Sequence, residues 1–187
     1  KEDVGLYRDS IDLIVEGEDY VGGAVGTFSS HYPIGKFPPS SGHDRTNQNL
    51  VFSGSVSGKN NVGGIAGYEK DSYSDIINMD CRNRGTIVGS KNVGGIFGLH
   101  EVDVPCESFA GNIKNYGTVK GNVAVGGVIG RFSTDRSNSD KNEWLKGSHG
   151  GFINLGMVSG KKQVGGVVGL WYNVASTPKL YHSYNAG

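Results

Sequence analysis

The sequence predicts an all-β fold, a β-solenoid of about five coils with loop insertions on one side. Three observations carry this. A glycine-punctuated block recurs five times at long and uneven spacing. Glycine supplies 32 of 187 residues, while proline supplies only 5 and no Gly-X-Y triplet repeats, so collagen is excluded. Between the glycines the residues are mostly β-branched and alternate with the two-residue period of strands, and neither residue class favours helix.

The core of the block is Val21-Gly22-Gly23, Val62-Gly63-Gly64, Val93-Gly94-Gly95, Val125-Gly126-Gly127 and Val164-Gly165-Gly166. Each copy continues to fit V-G-G-[AIV]-x-G, ending at Gly26, Gly67, Gly98, Gly130 and Gly169. Another glycine lies four residues before each Val, and four copies share an upstream G-x-[VI]-x-G; the first copy has Leu13 and Val15 there instead. Three copies open with N-x-G, at Asn83, Asn115 and Asn154. The blocks lie near 13–26, 52–67, 83–98, 115–130 and 154–169. Asn185-Ala186-Gly187 is in register with a truncated sixth. The spacing between successive Val-Gly-Gly copies is 41, 31, 32 and 39 residues, with all the variation outside the block. Rigid blocks joined by variable stretches are the mark of a repeat array with insertions on one side. Residues 1–187 therefore read as one repeat domain, with 1–12 expected as an N-terminal cap and with flanking domains expected in a parent chain.

Within a block, alternation gives two short strands. Cys81, Asn83, Gly85 and Ile87 share a face in the first; Val93 and Gly95 face opposite to Ile96 in the second. Neither strand has apolar area enough to stand alone, so each must pair with its copy in the next coil. The five valines are expected to form an interior column. Ile65, Ile96, Val128 and Val167 have the wrong parity for that interior unless the Gly-Gly step is a bend, with φ > 0 expected at these glycines. The Asn of N-x-G is expected either to stack as an amide ladder or to take a left-handed turn conformation. A β-propeller of kelch type also carries a Gly-Gly pair, but its four-stranded blades need about 50 residues, and spacings of 31 and 32 are tight for that.

The blocks Gly58–Gly67 and Asn83–Gly98 resemble the GLUG repeat of bacterial surface proteins, which include filamentous-haemagglutinin-like adhesins and non-catalytic parts of immunoglobulin-A-cleaving metallopeptidases. The likeness covers about 16 residues in each of four copies, roughly a third of the chain. It implies an extracellular, non-enzymatic stalk or adhesin module of a larger surface protein, at the cell surface or secreted. Two alternatives are a substrate-docking segment of a surface metallopeptidase and a polysaccharide-acting β-helix enzyme.

Catalytic signals are weak. His100-Glu101 starts like H-E-x-x-H, but Val104 replaces the second His. Gly54 to Lys59 is one residue short of a phosphate loop and precedes a strand, not a helix. Carboxylates at Asp71, Asp75, Asp80, Glu101, Asp103, Asp135 and Asp140 share no repeat position. No catalytic residue, metal ligand or cofactor is assigned. Lys plus Arg and Asp plus Glu each number 18, so the zero net charge argues against nucleic acid and polybasic membrane binding. No apolar run reaches the ~18 residues of a membrane span.

Ligand contact is expected from the inserts, which leave the coil at one corner. Phe28, Tyr32, Phe132, Trp144, Trp171 and Tyr172 are the candidate residues, toward a host protein or glycan. The competing reading is that such aromatics only cover the loops' own small cores. Cys81 is in register with core positions Leu50, Ile113 and Phe152. A disulfide from Cys81 to Cys106 is compatible with an extracellular setting.

Overall fold

The computed structural model describes residues 8–30, 49–71, 77–102, 108–134, 148–172 and 179–187. The first coil contains β1 (Arg8–Ile11), β2 (Ile14–Glu16), β3 (Asp19–Gly22) and β4 (Val25–Ser30). The second contains β5 (Asn49–Phe52), β6 (Ser55–Ser57), β7 (Asn60–Gly63) and β8 (Ala66–Asp71). The third has β9 (Ile77–Asn83), β10 (Thr86–Val88), β11 (Lys91–Gly94) and β12 (Phe97–Val102). The fourth has β13 (Ser108–Asn115), β14 (Thr118–Lys120), β15 (Val123–Gly126) and β16 (Ile129–Thr134). The fifth has β17 (Ser148–Asn154), β18 (Val158–Ser159), β19 (Lys162–Gly165) and β20 (Val168–Tyr172), and β21 (Lys179–Tyr181) and β22 (Tyr184–Asn185) begin a sixth.

Equivalent strands pair in parallel across the coils, giving one seven-stranded sheet and three five-stranded sheets along a common axis. This is the β-solenoid, and at about 4.8 Å per layer the coils form a rod on the order of 25 Å long. Each coil has four sides, so the two strands expected per block become four. Two tight turns divide the block further. At the first, the Gly85 N–H donates to Asn83 Oδ1 at 2.9 Å, and Gly117 does the same with Asn115 at 3.1 Å.

The register stacks like on like. Val21, Val62, Val93, Val125 and Val164 align on the third side, and the middle three are fully buried. Val15, Val56, Ile87, Val119 and Val158 align on the second. Ile65, Ile96 and Val128 sit at the bend between sides three and four and are also fully buried. Phe52, Phe97, Phe132 and Phe152 complete the interior, each worth about 2 kcal/mol of transfer free energy.

The bend is built differently from the expectation. The glycines of Val-Gly-Gly do not take positive φ. The left-handed residue is the one before each valine: Tyr20, Asn61, Asn92, Ala124 and Gln163, with φ of 53° to 55°. The glycines are needed for room. A Cβ on Gly63 would overlap the carbonyl of Ala66 across its own bend, and one on Gly98 would overlap the backbone of Asn61 and Val62 in the coil below. Sides three and four therefore lie backbone against backbone.

Of the two roles open to the N-x-G asparagine, the structure selects the ladder. Asn83 Nδ2 donates to Asn115 Oδ1 at 2.7 Å, Asn115 to Asn154 at 2.7 Å, and Asn154 to Asn185 at 2.6 Å. Asn83, Asn115 and Asn154 are fully buried. A second, shorter ladder uses the left-handed asparagines, with Asn92 Nδ2 donating to Asn61 Oδ1 at 2.6 Å. It stops at Ala124, leaving the buried Asn92 Oδ1 with no hydrogen-bond partner among the described residues.

Two stability measurements by chemical denaturation follow. Asn115→Ala strands a buried donor on Asn83 and an acceptor on Asn154, and is expected to cost on the order of 3 kcal/mol. Ala124→Asn places a residue tolerant of left-handed φ over Asn92 and supplies the missing donor, and is expected to stabilise by about 1 kcal/mol.

Candidate functional site

All inserts leave the rod at one corner. Residues 31–48, 72–76, 103–107, 135–147 and 173–178 each connect a fourth-side strand to the next first-side strand. The fourth side is thus the wall nearest the inserts, and its side chains divide into a buried column and a set that reaches the surface.

One register column runs through Phe28, Glu69, His100, Phe132 and Trp171, aligned by the pairing of β4, β8, β12, β16 and β20, and Glu69, His100 and Phe132 are buried in it. These residues lie two positions beyond each block's final glycine. Phe132 is fully buried. It stacks on Trp171 with ring centroids 4.5 Å apart and tilts against His100 at 5.3 Å. Phe132 is therefore a core residue and offers no ring to a ligand in solution, because its place in the stack points it inward. Trp171 is partly buried and packs against the same core. Phe28 holds its place in β4 by backbone pairing. Tyr32 and Trp144 lie outside the described residues.

Inside this apolar column sits a polar pair. His100 Nδ1 lies 3.1 Å from Glu69 Oε2, and the two side chains are 0% and 1% exposed. Phe97 stacks on the His100 ring at 5.5 Å. The H-E of His100-Glu101 is thus explained without a metal: His100 points inward to Glu69, and Glu101 points away. Among the described residues no group of three or more His, Cys, Asp or Glu gathers as metal ligands do.

The exposed set is the candidate contact surface. Tyr172 is 52% exposed, and the Arg131 guanidinium lies 5.3 Å over its ring. Glu101 Oε1 accepts from the Tyr68 hydroxyl at 3.3 Å and lies 3.4 Å from Lys70 Nζ. Tyr68 also meets Tyr20 of the third side at 5.8 Å. This surface mixes aromatic faces with charged groups held by their neighbours, the composition of a polar, adaptable binding surface. Of the sequence candidates whose side chains are described, Phe132, Trp171 and Tyr172, only Tyr172 falls on it. Glu101 stands in the sequence only among the scattered carboxylates, and Tyr20, Tyr68 and Arg131 are not among the ligand-contact candidates, because their place depends on strand phase: Tyr68 and Arg131 lie one residue beyond the block's last glycine, not two.

Asp71 and Asp80 lie in β8 and β9, while Asp75, Asp103, Asp135 and Asp140 lie outside the described residues. Cys81 is buried, as its register implied; Cys106, and with it the disulfide, lies outside the described residues. Lys59 follows β6 and leads into β7, so the loop from Gly54 opens no helix. Comparison with protein-family models, with curated proteins and with solved structures gives no match.

Breaking the buried pair tests its role. Glu69→Leu alone removes the carboxylate beside the buried Nδ1 of His100 and is expected to cost about 1–3 kcal/mol. The double variant Glu69→Leu/His100→Phe continues the aromatic column and is expected to return most of that stability. Equal losses in single and double variants, read by thermal and chemical melts, would show that the pair is more than a tolerated polar inclusion.

Proposed function

We propose that this chain is a non-enzymatic spacer and contact module displayed outside a bacterial cell as part of a larger surface protein. The observation that carries the reading is the single corner from which every insert departs. A rod built of stacked coils holds its length through its backbone ladders, and it presents variable loops in a line along one edge. That is the layout of a display scaffold, in which rigid repeats set position and insertions supply recognition. The resemblance of the Val-Gly-Gly blocks to GLUG repeats supports the extracellular setting.

The partner on this reading is a host protein or a glycan. The surface around Tyr68, Glu101, Arg131 and Tyr172 offers aromatic faces for sugar rings or apolar side chains, with charged groups at their edges. The inserts at 31–48 and 135–147 carry further aromatics, Tyr32 and Trp144 among them.

The test is a binding titration against extracellular host proteins and a glycan panel. One variant has residues 135–147 replaced by a short turn, and a second carries Tyr172→Ala with Arg131→Ala. Circular dichroism confirms that the rod is intact. Binding is expected to weaken about tenfold or more in either variant, a loss of 1.4 kcal/mol or more. Binding left unchanged by both removes the display reading.

A further inference from the structure

The corner where side two passes into side three carries a line of lysines. In the five coils this corner is formed by residues 16–19, 57–60, 88–91, 120–123 and 159–162. Lys59, Lys91, Lys120, Lys161 and Lys162 stand on it, and all five are exposed. Acids stand on it only in the first coil, at Glu16, Glu18 and Asp19.

The backbone holds this edge in place. At each turn one carbonyl accepts two N–H groups from the next coil. Lys59 and Asn60 donate to the Glu18 carbonyl at 2.7 and 3.0 Å, and Ser90 and Lys91 donate to that of Lys59, both at 2.9 Å. Asn122 and Val123 donate to the Ser90 carbonyl at 3.1 and 3.0 Å, and Lys161 and Lys162 to that of Asn122 at 3.0 and 2.8 Å. The ladder spaces the edge at about 4.8 Å per coil.

Charge on the edge is unbalanced beyond the second coil. Lys59 has a counter-charge, with Glu18 Oε2 3.6 Å from its Nζ. The register gives the inner lysines none. Lys91 lies between Asn60 and Val123, and Lys120 between Val88 and Ser159. Coils on both sides of these two are described, so the missing counter-charge is a property of the inner coils. Lys162 stands over Val123, and Lys161 precedes it in the same turn. Among the described residues Lys91, Lys120, Lys161 and Lys162 form no ion pair. The zero net charge of the chain thus conceals a strip of positive potential, and an external anion would relieve its self-repulsion.

We propose that this edge binds a linear acidic polysaccharide laid along the rod axis over coils two to five. Three features select that occupant. The cations follow a line, which matches an extended polymer better than a single small anion. Small polar side chains stand between them, at Ser57, Ser90, Asn122 and Ser159, half-buried or exposed, and these suit the hydroxyls of sugars. The edge segments of coils three to five contain no aromatic residue and no Arg. They therefore lack stacking platforms for bases, bidentate forks for phosphate and the anchors that dominate protein interfaces. The acids of the first coil repel the polymer and confine it to the coils beyond. The inserts leave from a different corner, between sides four and one, so this binding is additional to theirs and does not rest on it.

The experiment is fluorescence anisotropy with labelled polygalacturonate, which is carboxylated, and labelled dextran sulfate, with neutral dextran as the control. The variants are Lys91→Glu/Lys120→Glu, Lys91→Arg/Lys120→Arg, and the chain with residues 135–147 replaced by a short turn. Circular dichroism checks that each rod is folded. The wild type is expected to bind at least one acidic polymer and not the neutral one, and the tighter of the two identifies the acid. Raising salt from about 50 to about 200 mM is expected to weaken binding tenfold or more, because point-charge contacts release counterions. The Glu variant is expected to bind about tenfold more weakly or worse. The Arg variant and the insert replacement are expected to bind as the wild type does. Duplex DNA at equal charge is expected to compete at least about tenfold less well than the polymer itself. The proposal is overturned if neither acidic polymer binds, if the Glu variant binds as the wild type does, or if DNA competes equally. It is also overturned if replacing the insert, and not the lysines, abolishes binding.

Discussion

Backbone contact between successive coils governs this molecule. Each coil is four strands of two to eight residues, too short to persist alone, and becomes stable only by lending hydrogen bonds to the coil above and below. The contact is so close that side chains are excluded at several points. Glycine at those points is a packing requirement, and flexibility is not its role. The glycine columns stack carbonyl over carbon: Gly85 on Gly54, Gly117 on Gly85, Gly156 on Gly117. A single methyl in such a column would push two coils apart along their whole width, so the glycines are coupled to one another through the axis.

The interior mixes apolar columns with polar ones, and the two kinds act differently. The apolar columns give most of the burial but little register, because Val on Val would tolerate a slip along the strand. The amide ladder does not tolerate it. Each asparagine both donates to the next and closes its own turn, as Asn115 does with Gly117 and Asn154, so a shift would leave several buried polar groups unmet at once. The Glu69–His100 pair is a local case with no repetition: its column mates are aromatic, and nothing in the coil geometry requires it.

A scaffold of this kind separates stability from recognition. The coil positions are fixed by ladders and columns, while the connections between the fourth and first sides vary from 5 residues at 72–76 to 18 at 31–48 without disturbing the register on either side. Loop-closure entropy grows only slowly with length, so insertions at that corner are thermodynamically mild. The proposed recognition function uses this freedom: change is concentrated where the backbone ladder is not interrupted.

How much was legible in the sequence can be judged residue by residue. The recurrence of Val-Gly-Gly at Val62, Val93, Val125 and Val164 determined the stacking of like on like, because identical short strands can satisfy their edges only against each other. The same spacing located the insert corner and the inward place of Cys81. The bend was not legible. Its left-handed position holds Tyr, Asn, Ala and Gln in different coils, residues that carry no common turn signal, and the conformation is imposed by the packing of side three on side four. The burial of Phe132 and the half-buried place of Tyr68 depend on strand phase after that bend, which the linear pattern does not encode. The pairing of Glu69 with His100 joins residues 31 apart, brought together only when coils stack. Local periodicity is written along the chain; which side of each strand meets the interior is decided between coils.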